Sequence, residues 1–183
     1  MVRLRYGDIS ALEALVRLHQ TPALRLAYSI TGSRETAEDV VMDAFVAVVT
    51  HIEQFDRSLP FAPWFRRIVV NGALAAVRTS RRRALIWNRI GRSQPNQVSV
   101  SEVAETHDLR DRLEQAFATL TPDERAVAAL RLAFGMSEKE VAASLGCRIG
   151  TVKSRLARAR RKLRQRLTNR AVFATALPSH EET

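Results

Sequence analysis

Apolar and polar positions follow the period of an α-helix along almost the whole chain. Residues 34–54 carry the clearest stripe, whose members recur every three or four positions: Ala37, Val40, Val41, Ala44, Phe45, Val48, Val49 and Ile52. Ser33 is placed to cap this helix. Residues 8–31 have a similar pattern, which Pro22 is expected to break or restart. A further helix is expected from Trp64 to about Arg82, with Pro63 in its first turn.

The pattern also divides the chain into two parts. Residues 91–107 are polar and poor in large apolar groups, as is typical of a flexible linker. Helical periodicity resumes at 108–120 and 122–134. No segment alternates convincingly as a β-strand does, so the pattern predicts an all-α fold. The length allows one or two small domains, and the linker divides the helical residues into 1–90 and 108–168. The remaining residues, 169–183, are expected to form a short tail.

Residues 137–160 have the features of a helix-turn-helix. Ser137 and Glu140 can form a capping box, and Gly146 stands where the first helix must end. A second helix is expected to start near Thr151, with Val152 and Leu156 on its inner side. Its outer side is strongly basic, which suits a DNA major groove. That outer side carries Lys153, Ser154, Arg155 and Arg158.

Charge supports a nucleic-acid partner. The 183 residues carry a formal net charge of +10, which favours binding to a polyanion. Residues 66–92 hold eight Arg or Lys and no acid, and residues 148–170 hold ten and no acid. Two basic blocks separated by a more acidic middle suggest two separate DNA contacts.

Several kinds of chemistry find no support in the sequence. Cys147 is the one cysteine, which excludes an internal disulfide and a thiolate metal cluster. The four histidines are scattered without metal-ligand spacing, and no glycine-rich phosphate loop is present. No apolar run approaches the length of a membrane span, and the first ten residues lack the apolar core of a signal peptide. We therefore expect no catalytic residues, no metal and no cofactor.

Three motifs, taken in order, resemble a known family. TAEDVVMDAFVAVV at 36–49, FAPWFRRIVVNGAL at 61–74 and GTVKSRLARARRKLR at 150–164 are similar to the extracytoplasmic-function class of bacterial RNA polymerase sigma factors. The resemblance covers residues 5–168. It implies two helical domains, called region 2 and region 4, that bind core polymerase and direct it to a promoter.

The resemblance also implies roles for individual residues. Core polymerase, through the β′ coiled coil, would contact Glu38, Asp39, Met42, Asp43 and Val46. The −10 element, as single-stranded DNA, would meet Arg57, Phe61, Arg67, Asn71, Arg78 and Arg82. The −35 element, as duplex DNA, would meet Arg148, Thr151, Lys153, Ser154, Arg155, Ala157, Arg158 and Arg161.

The chain departs from the family pattern at several positions. Many members have a Gln-Glu pair where Met42 and Asp43 stand, and further polar groups where Ala75 stands. Ser or Thr followed by Pro usually precedes the Gly-Thr of the second helix, but here Arg148 and Ile149 stand there. Thr151 is then a candidate cap, or Arg148 adds a phosphate contact.

The resemblance implies further partners and a place in the cell. Region 4 would also meet the β flap of core polymerase, and many members are held inactive by an anti-sigma factor, which makes such a protein a candidate partner. A bacterial cytoplasmic location beside the nucleoid is expected. Two alternatives stay open from the residues: a stand-alone helix-turn-helix regulator of duplex DNA, and a nucleic-acid enzyme such as a transposase fragment.

Overall fold

The computed structural model describes residues 9–56, 58–89 and 107–175, and this part of the chain folds entirely into helices and their connections. The expected all-α fold is confirmed. Arg57 and nearly all of the expected linker lie outside the described residues. The helices are α1 Ile9–Thr31, α2 Arg34–His51 with a 3₁₀ turn at Ile52–Gln54, α3 Phe61–Arg89, α4 His107–Ala118, α5 Pro122–Ala128 with a π-helical turn at Ala129–Ala133, α6 Glu138–Leu145 and α7 Ile149–Thr175.

Helices α1, α2 and α3 pack against one another in pairs. The stripe predicted on α2 forms its inner face, although Val49 turns out 46% exposed. Leu26 of α1, Val48 of α2 and Phe65 of α3 are at most 2% exposed. Burying a side chain of this size stabilises a fold by about 1.5–3 kcal/mol. Ser33 caps α2 as predicted, because its Oγ accepts the N–H of Thr36 at 3.3 Å.

Two predictions about helix boundaries in this half are wrong. Pro22 neither breaks nor starts a helix but lies inside α1. Proline cannot donate to the carbonyl four residues earlier, yet the helix continues because Leu26 and Ile30, in the turns after it, are fully buried. Helix α3 continues seven residues beyond the predicted Arg82, to Arg89. Residues 78–86 are all exposed, so no apolar stripe marks that extension.

The second half begins at α4 and is ordered by local caps. Thr121 and Glu124 form a capping box at α5, and Ser137 and Glu140 form the predicted one at α6. Gly146 ends α6 with φ +60°, as its position predicts. The predicted helix at 122–134 is present, but its last turn is a π-helix. Helix α7 runs to Thr175, so the first seven residues of the expected tail are helical.

The two halves pack on each other. Helix α1 contacts α5 and α3 contacts α6, and residues from both halves share one buried cluster. The guanidinium of Arg125 on α5 donates to Phe117 O and Ala118 O at the end of α4, and also to Ile30 O at the end of α1, at 3.0, 3.2 and 3.1 Å. The hydroxyl of Tyr28 donates to Glu114 at 3.3 Å, and Arg66 lies 5.3 Å from the ring centre of Phe134. Positively charged and aromatic side chains therefore join the halves around an apolar centre.

Candidate functional site

Helix α7 begins at Ile149, two residues earlier than the sequence suggested. The carbonyl of Arg148 accepts the N–H groups of Thr151 and Val152, at 2.9 and 3.2 Å. Thr151 therefore lies inside the first turn and does not cap the helix, so that expectation is wrong. Val152 and Leu156 are buried as predicted, together with Ala159.

The outward side of α7 is polar and basic. Helix geometry places Ser154, Ala157 and Arg161 opposite the buried residues, because each residue turns the helix by 100°. All three are exposed, as are Lys153 and Arg158. The hydroxyl of Ser154 donates to Thr151 O at 3.0 Å, so its proton is used within the helix and its oxygen lone pairs face outward. This surface can meet both phosphates and base edges.

Acidic residues pair with the flanks of α7, which sequence reasoning missed. Glu124 Oε2 accepts Lys162 Nζ at 2.6 Å, and Glu124 Oε1 lies 3.5 Å from Arg158 Nε. Asp123 pairs with Arg155 at 3.2 Å on the same flank. On the other flank Lys153 Nζ lies 3.9 Å from Glu138. The pairs join residues about 15 to 38 positions apart, and no local spacing announces them.

One edge of α3 carries the side chains predicted to meet the −10 element. Arg67, Asn71, Arg78 and Arg82 are all exposed, and their spacings of four, seven and four keep them on one side. Asn71 lies in the middle of α3, so it is neither a buried nor a capping residue. Its exposed side chain carries both an amide donor and an amide oxygen, which suits hydrogen bonding to a base edge. Arg57 lies outside the described residues.

Aromatic rings support the start of this helix. Phe61 stacks on Phe65 with ring centres 5.5 Å apart, and Trp64 lies 4.9 Å from Phe55. Half-buried Trp64 therefore belongs to the packing. His19 of α1 also joins the cluster, 5.0 Å from Phe61, and nothing in the sequence pointed to it. Burial, and then the charge of Arg66, lower the pKa of His19, so the uncharged ring is favoured.

The predicted protein-docking face of α2 is exposed. Met42 is 66% and Val46 57% exposed, and Val49 extends the same apolar strip. Asp39 and Asp43 are exposed beside it. Glu38 differs from these two, because its carboxylate accepts Arg34 Nε at 2.8 Å. A surface that combines exposed apolar groups with carboxylates is suited to a protein partner that carries basic side chains.

A groove of about 520 Å³ separates this face from α3. Asp39 and Asp43 line one side and Ala75 the other. The two helices approach closely at Gly72, where an added Cβ would lie 3.3 Å from Val40 Cγ1. The side chains that line the groove are short, so the carboxylates are open to a long side chain from a partner.

Among the described residues, no group of three or more His, Cys, Asp or Glu side chains is arranged to hold a metal ion. In the same part of the chain, no helix has both the length and the apolar character of a membrane span.

Comparison with known proteins covers both halves. A model described as sigma-70 region 2 matches residues 15–83, and one described as sigma-70, region 4 matches residues 110–163. The RNA polymerase sigma-E factor of Streptomyces avermitilis is 33% identical over 96% of each chain. The ECF RNA polymerase sigma factor SigE of Mycolicibacterium smegmatis is 33% identical over 88% of this chain and 64% of its own length.

A solved structure has a similar fold. It is the sigma factor RpoE of Bartonella quintana in complex with the anti-sigma factor NepR, with a TM-score of 0.71. The two sequences are 27% identical, and the match covers 85% of this chain and 96% of that one. A match of this length includes residues from both halves of the chain.

Proposed function

The chain belongs to the extracytoplasmic-function class of RNA polymerase sigma factors, and we propose that α2 docks it on core polymerase while α3 and α7 read the promoter. The observation that carries the proposal is the separation of three exposed surfaces in one chain. One is acidic and apolar, on α2, and two are basic, on α3 and α7. In this arrangement a protein partner and two DNA elements have different surfaces to bind.

Docking is assigned to the strip of Met42 and Val46 with the flanking carboxylates of Asp39 and Asp43. The apolar side chains would be removed from water by the β′ coiled coil, and the carboxylates would meet its basic residues. Glu38 would take part after exchanging Arg34 for a partner cation, which an exposed pair does at little cost.

Reading of the −10 element is assigned to α3. Arg67, Arg78 and Arg82 would hold phosphates of the single strand, and Asn71 would hydrogen-bond a base edge. Phe61 would support this surface from the aromatic cluster, and Arg57 is assigned a phosphate contact in the preceding loop. Taking a base out of the stack costs a few kcal/mol, which these contacts would offset.

Reading of the −35 element is assigned to α7, in the major groove. Lys153, Ser154, Ala157 and Arg161 are the side chains proposed to approach base edges and nearby phosphates. Arg155, whose partner Asp123 is half exposed, would add a contact along one flank, while Arg158 on the same flank is paired with Glu124. The side chains of Arg148 and Thr151 would meet the phosphates at the start of the helix, where exposed N–H groups and the helix dipole favour anions.

Use of both elements would require the halves to separate. The elements are named for positions 25 bp apart, which is about 85 Å of duplex at 3.4 Å per step. A packed body of this many residues is about 40 Å across. Residues 90–106 can extend the connection between α3 and α4 to about 60 Å at most, which is sufficient once α1 and α5 part. The two domains, 1–90 and 108–168, would then work as separate readers.

Core polymerase as the partner implies where the protein would act and what else it would contact. The protein would carry out no bond chemistry itself and would act in the bacterial cytoplasm, where polymerase meets DNA. Region 4 would also meet the β flap. Because a relative of similar fold is described in complex with an anti-sigma factor, a protein of that class is a candidate to hold this chain in its packed form.

Run-off transcription with purified core polymerase tests the proposal. A genomic fragment library would be transcribed with and without the protein, and defined start sites should arise only when both are present. The free protein should bind duplex DNA weakly and lose that binding steeply with salt. Tight binding of the free protein as a dimer to a palindrome, without new start sites, would indicate a stand-alone regulator instead.

A further inference from the structure

The carboxylate of Glu124 lies beneath α7 and contacts two of its positively charged side chains. The side chain is 5% exposed, and it accepts Lys162 Nζ at 2.6 Å and lies 3.5 Å from Arg158 Nε. It also accepts the N–H of Thr121 at 2.9 Å, which fixes it in the capping box of α5. A hydrogen bond at the start of α5 therefore fixes the carboxylate, which in turn pairs with side chains of α7.

Burial distinguishes the pairing of Glu124 from that of the neighbouring Asp123. Asp123, which pairs with Arg155, is 48% exposed, so water can replace Arg155 if a phosphate attracts it. Water cannot replace the partners of Glu124 in the same way, because its carboxylate is buried. Loss of Lys162 and Arg158 would leave that buried charge uncompensated. Lys162 and Arg158 are consequently less free to turn towards DNA than their charge suggests.

We propose that Glu124 is a positioning residue for −35 recognition: it holds Lys162 and Arg158 against α5, so that the outward edge of α7 alone enters the groove. That edge consists of Ser154, Ala157 and Arg161, with Lys153 beside it. The inference rests on the proposed function of α7. Its consequence is that an acid beneath the helix limits sequence-independent binding and thereby sharpens the preference for one DNA sequence.

Glu124→Gln tests this role, because glutamine keeps the shape and can still accept the N–H of Thr121. The variant should bind random duplex about three- to tenfold more tightly, and its plot of log affinity against log salt should steepen by about 1–2 units, since each new phosphate contact adds about 0.9. Preference for the selected −35 sequence over random duplex should fall by the same factor. Fluorescence anisotropy of the full-length chain with labelled duplexes measures all three.

Glu140→Gln is the matched control. Glu140 has the same capping role, on Ser137 of α6, and the same charge is lost, but its carboxylate pairs with no cation of α7 in the described part of the chain. Its salt slope should stay within about 0.3 of the wild-type slope, because no additional phosphate contact becomes available. An equal increase in both variants would show an effect of net charge and overturn the positioning role.

A second set of variants distinguishes a positioning role of Glu124 from an effect on folding. In the Arg158→Ala, Lys162→Ala double variant, adding Glu124→Gln should leave the salt slope unchanged, because no cation remains to be released. A persistent change there, or an unchanged slope in the single variant, would overturn the proposal. Failure of the wild-type holoenzyme to select any promoter would instead count against the proposed function, since the salt slopes need no promoter.

Discussion

Gly146 shows how one residue ends the first helix of the helix-turn-helix. Its φ of +60° lies in the left-handed region, and an added Cβ would meet nothing within 4 Å. We expect Gly146→Ala to lower the free energy of unfolding by about 1–2 kcal/mol through backbone strain alone, measured by thermal or urea denaturation. Gly150→Ala is the control, because Gly150 lies in the first turn of α7 with open space around it. It should cause no loss, and a cost equal to that of Gly146→Ala would contradict this account.

Asn71 is the residue on which the reading of the −10 element depends most. Asn71→Ala should weaken discrimination at one position of that element by about 1 kcal/mol, the usual net value of a hydrogen bond. The preference in the −35 element should stay as it was, because Asn71 and α7 belong to different halves. Selection of promoters from a randomised library by the variant holoenzyme measures both preferences together.

Ala75, one turn further along the same face, offers a control for that selection. Ala75→Ser adds a hydroxyl beside Asn71 without removing any group, so the existing −10 preference should be kept or extended by one position. A shift of the −35 preference in Asn71→Ala would contradict the assignment of the two elements to separate halves.

At the scale of the helices, α2 is suited to a protein partner because its outer face is both apolar and acidic. Asp39→Arg combined with Asp43→Arg should weaken co-purification with core polymerase at least tenfold, since each change replaces an attraction with a repulsion. Both positions are exposed, so circular dichroism should show unchanged helical content. Glu13→Arg on α1 is a control for charge reversal at an exposed site. Normal core binding by the double variant would exclude α2 as the docking surface.

The contact between α5 and α7 should respond to acid. Burial by itself would raise the pKa of Glu124, but hydrogen bonds from Lys162 and Thr121, with the charge of Lys162, outweigh it and the pKa lies below its ordinary value. The stability that Glu124 contributes is therefore complete above the ordinary glutamate pKa of about 4.3 and is lost as the pH falls towards the lower folded value. Melting temperatures between pH 6 and pH 3 should fall less in Glu124→Gln than in wild type. Parallel curves would show that the pair adds no pH-dependent stability.

At the scale of the whole molecule, we expect the two packed halves to separate when the protein binds a promoter. Labels placed at Gln20 on α1 and Ala143 on α6, both exposed, should show high energy transfer in the free protein. Transfer should fall sharply in the holoenzyme on promoter DNA, because the elements lie about 85 Å apart. The lone Cys147 would first be replaced by alanine so that only the introduced cysteines react.

A label pair within one half provides the reference. Gln20 and Ser80 are both exposed and belong to the first half, so transfer between them should stay constant on promoter binding. If transfer between Gln20 and Ala143 also stayed constant, the packed form would itself be the promoter-bound form, and the proposed separation of the halves would be wrong.

The sequence by itself determined what depends on neighbouring residues. The stripe of α2, the cap at Ser33 and the capping box of Ser137 with Glu140 involve residues three or four positions apart. Chain geometry brings such residues together in any helix. Gly146 could be identified for the same reason, since the left-handed turn it adopts favours glycine whatever surrounds it. The three motifs, in their order, identified the family.

Only the tertiary structure decided what depends on distant residues. The continuity of α1 through Pro22 comes from the burial of Leu26 and Ile30 against other helices. The pairing of Glu124 with Lys162 joins two helices, and the contact of Arg125 with Ile30 O joins two halves of the chain. Sequence assigned the basic side chains of α7 to DNA as a group. Packing decides which of them are held by acids, because that choice depends on which buried carboxylates the fold brings beneath the helix.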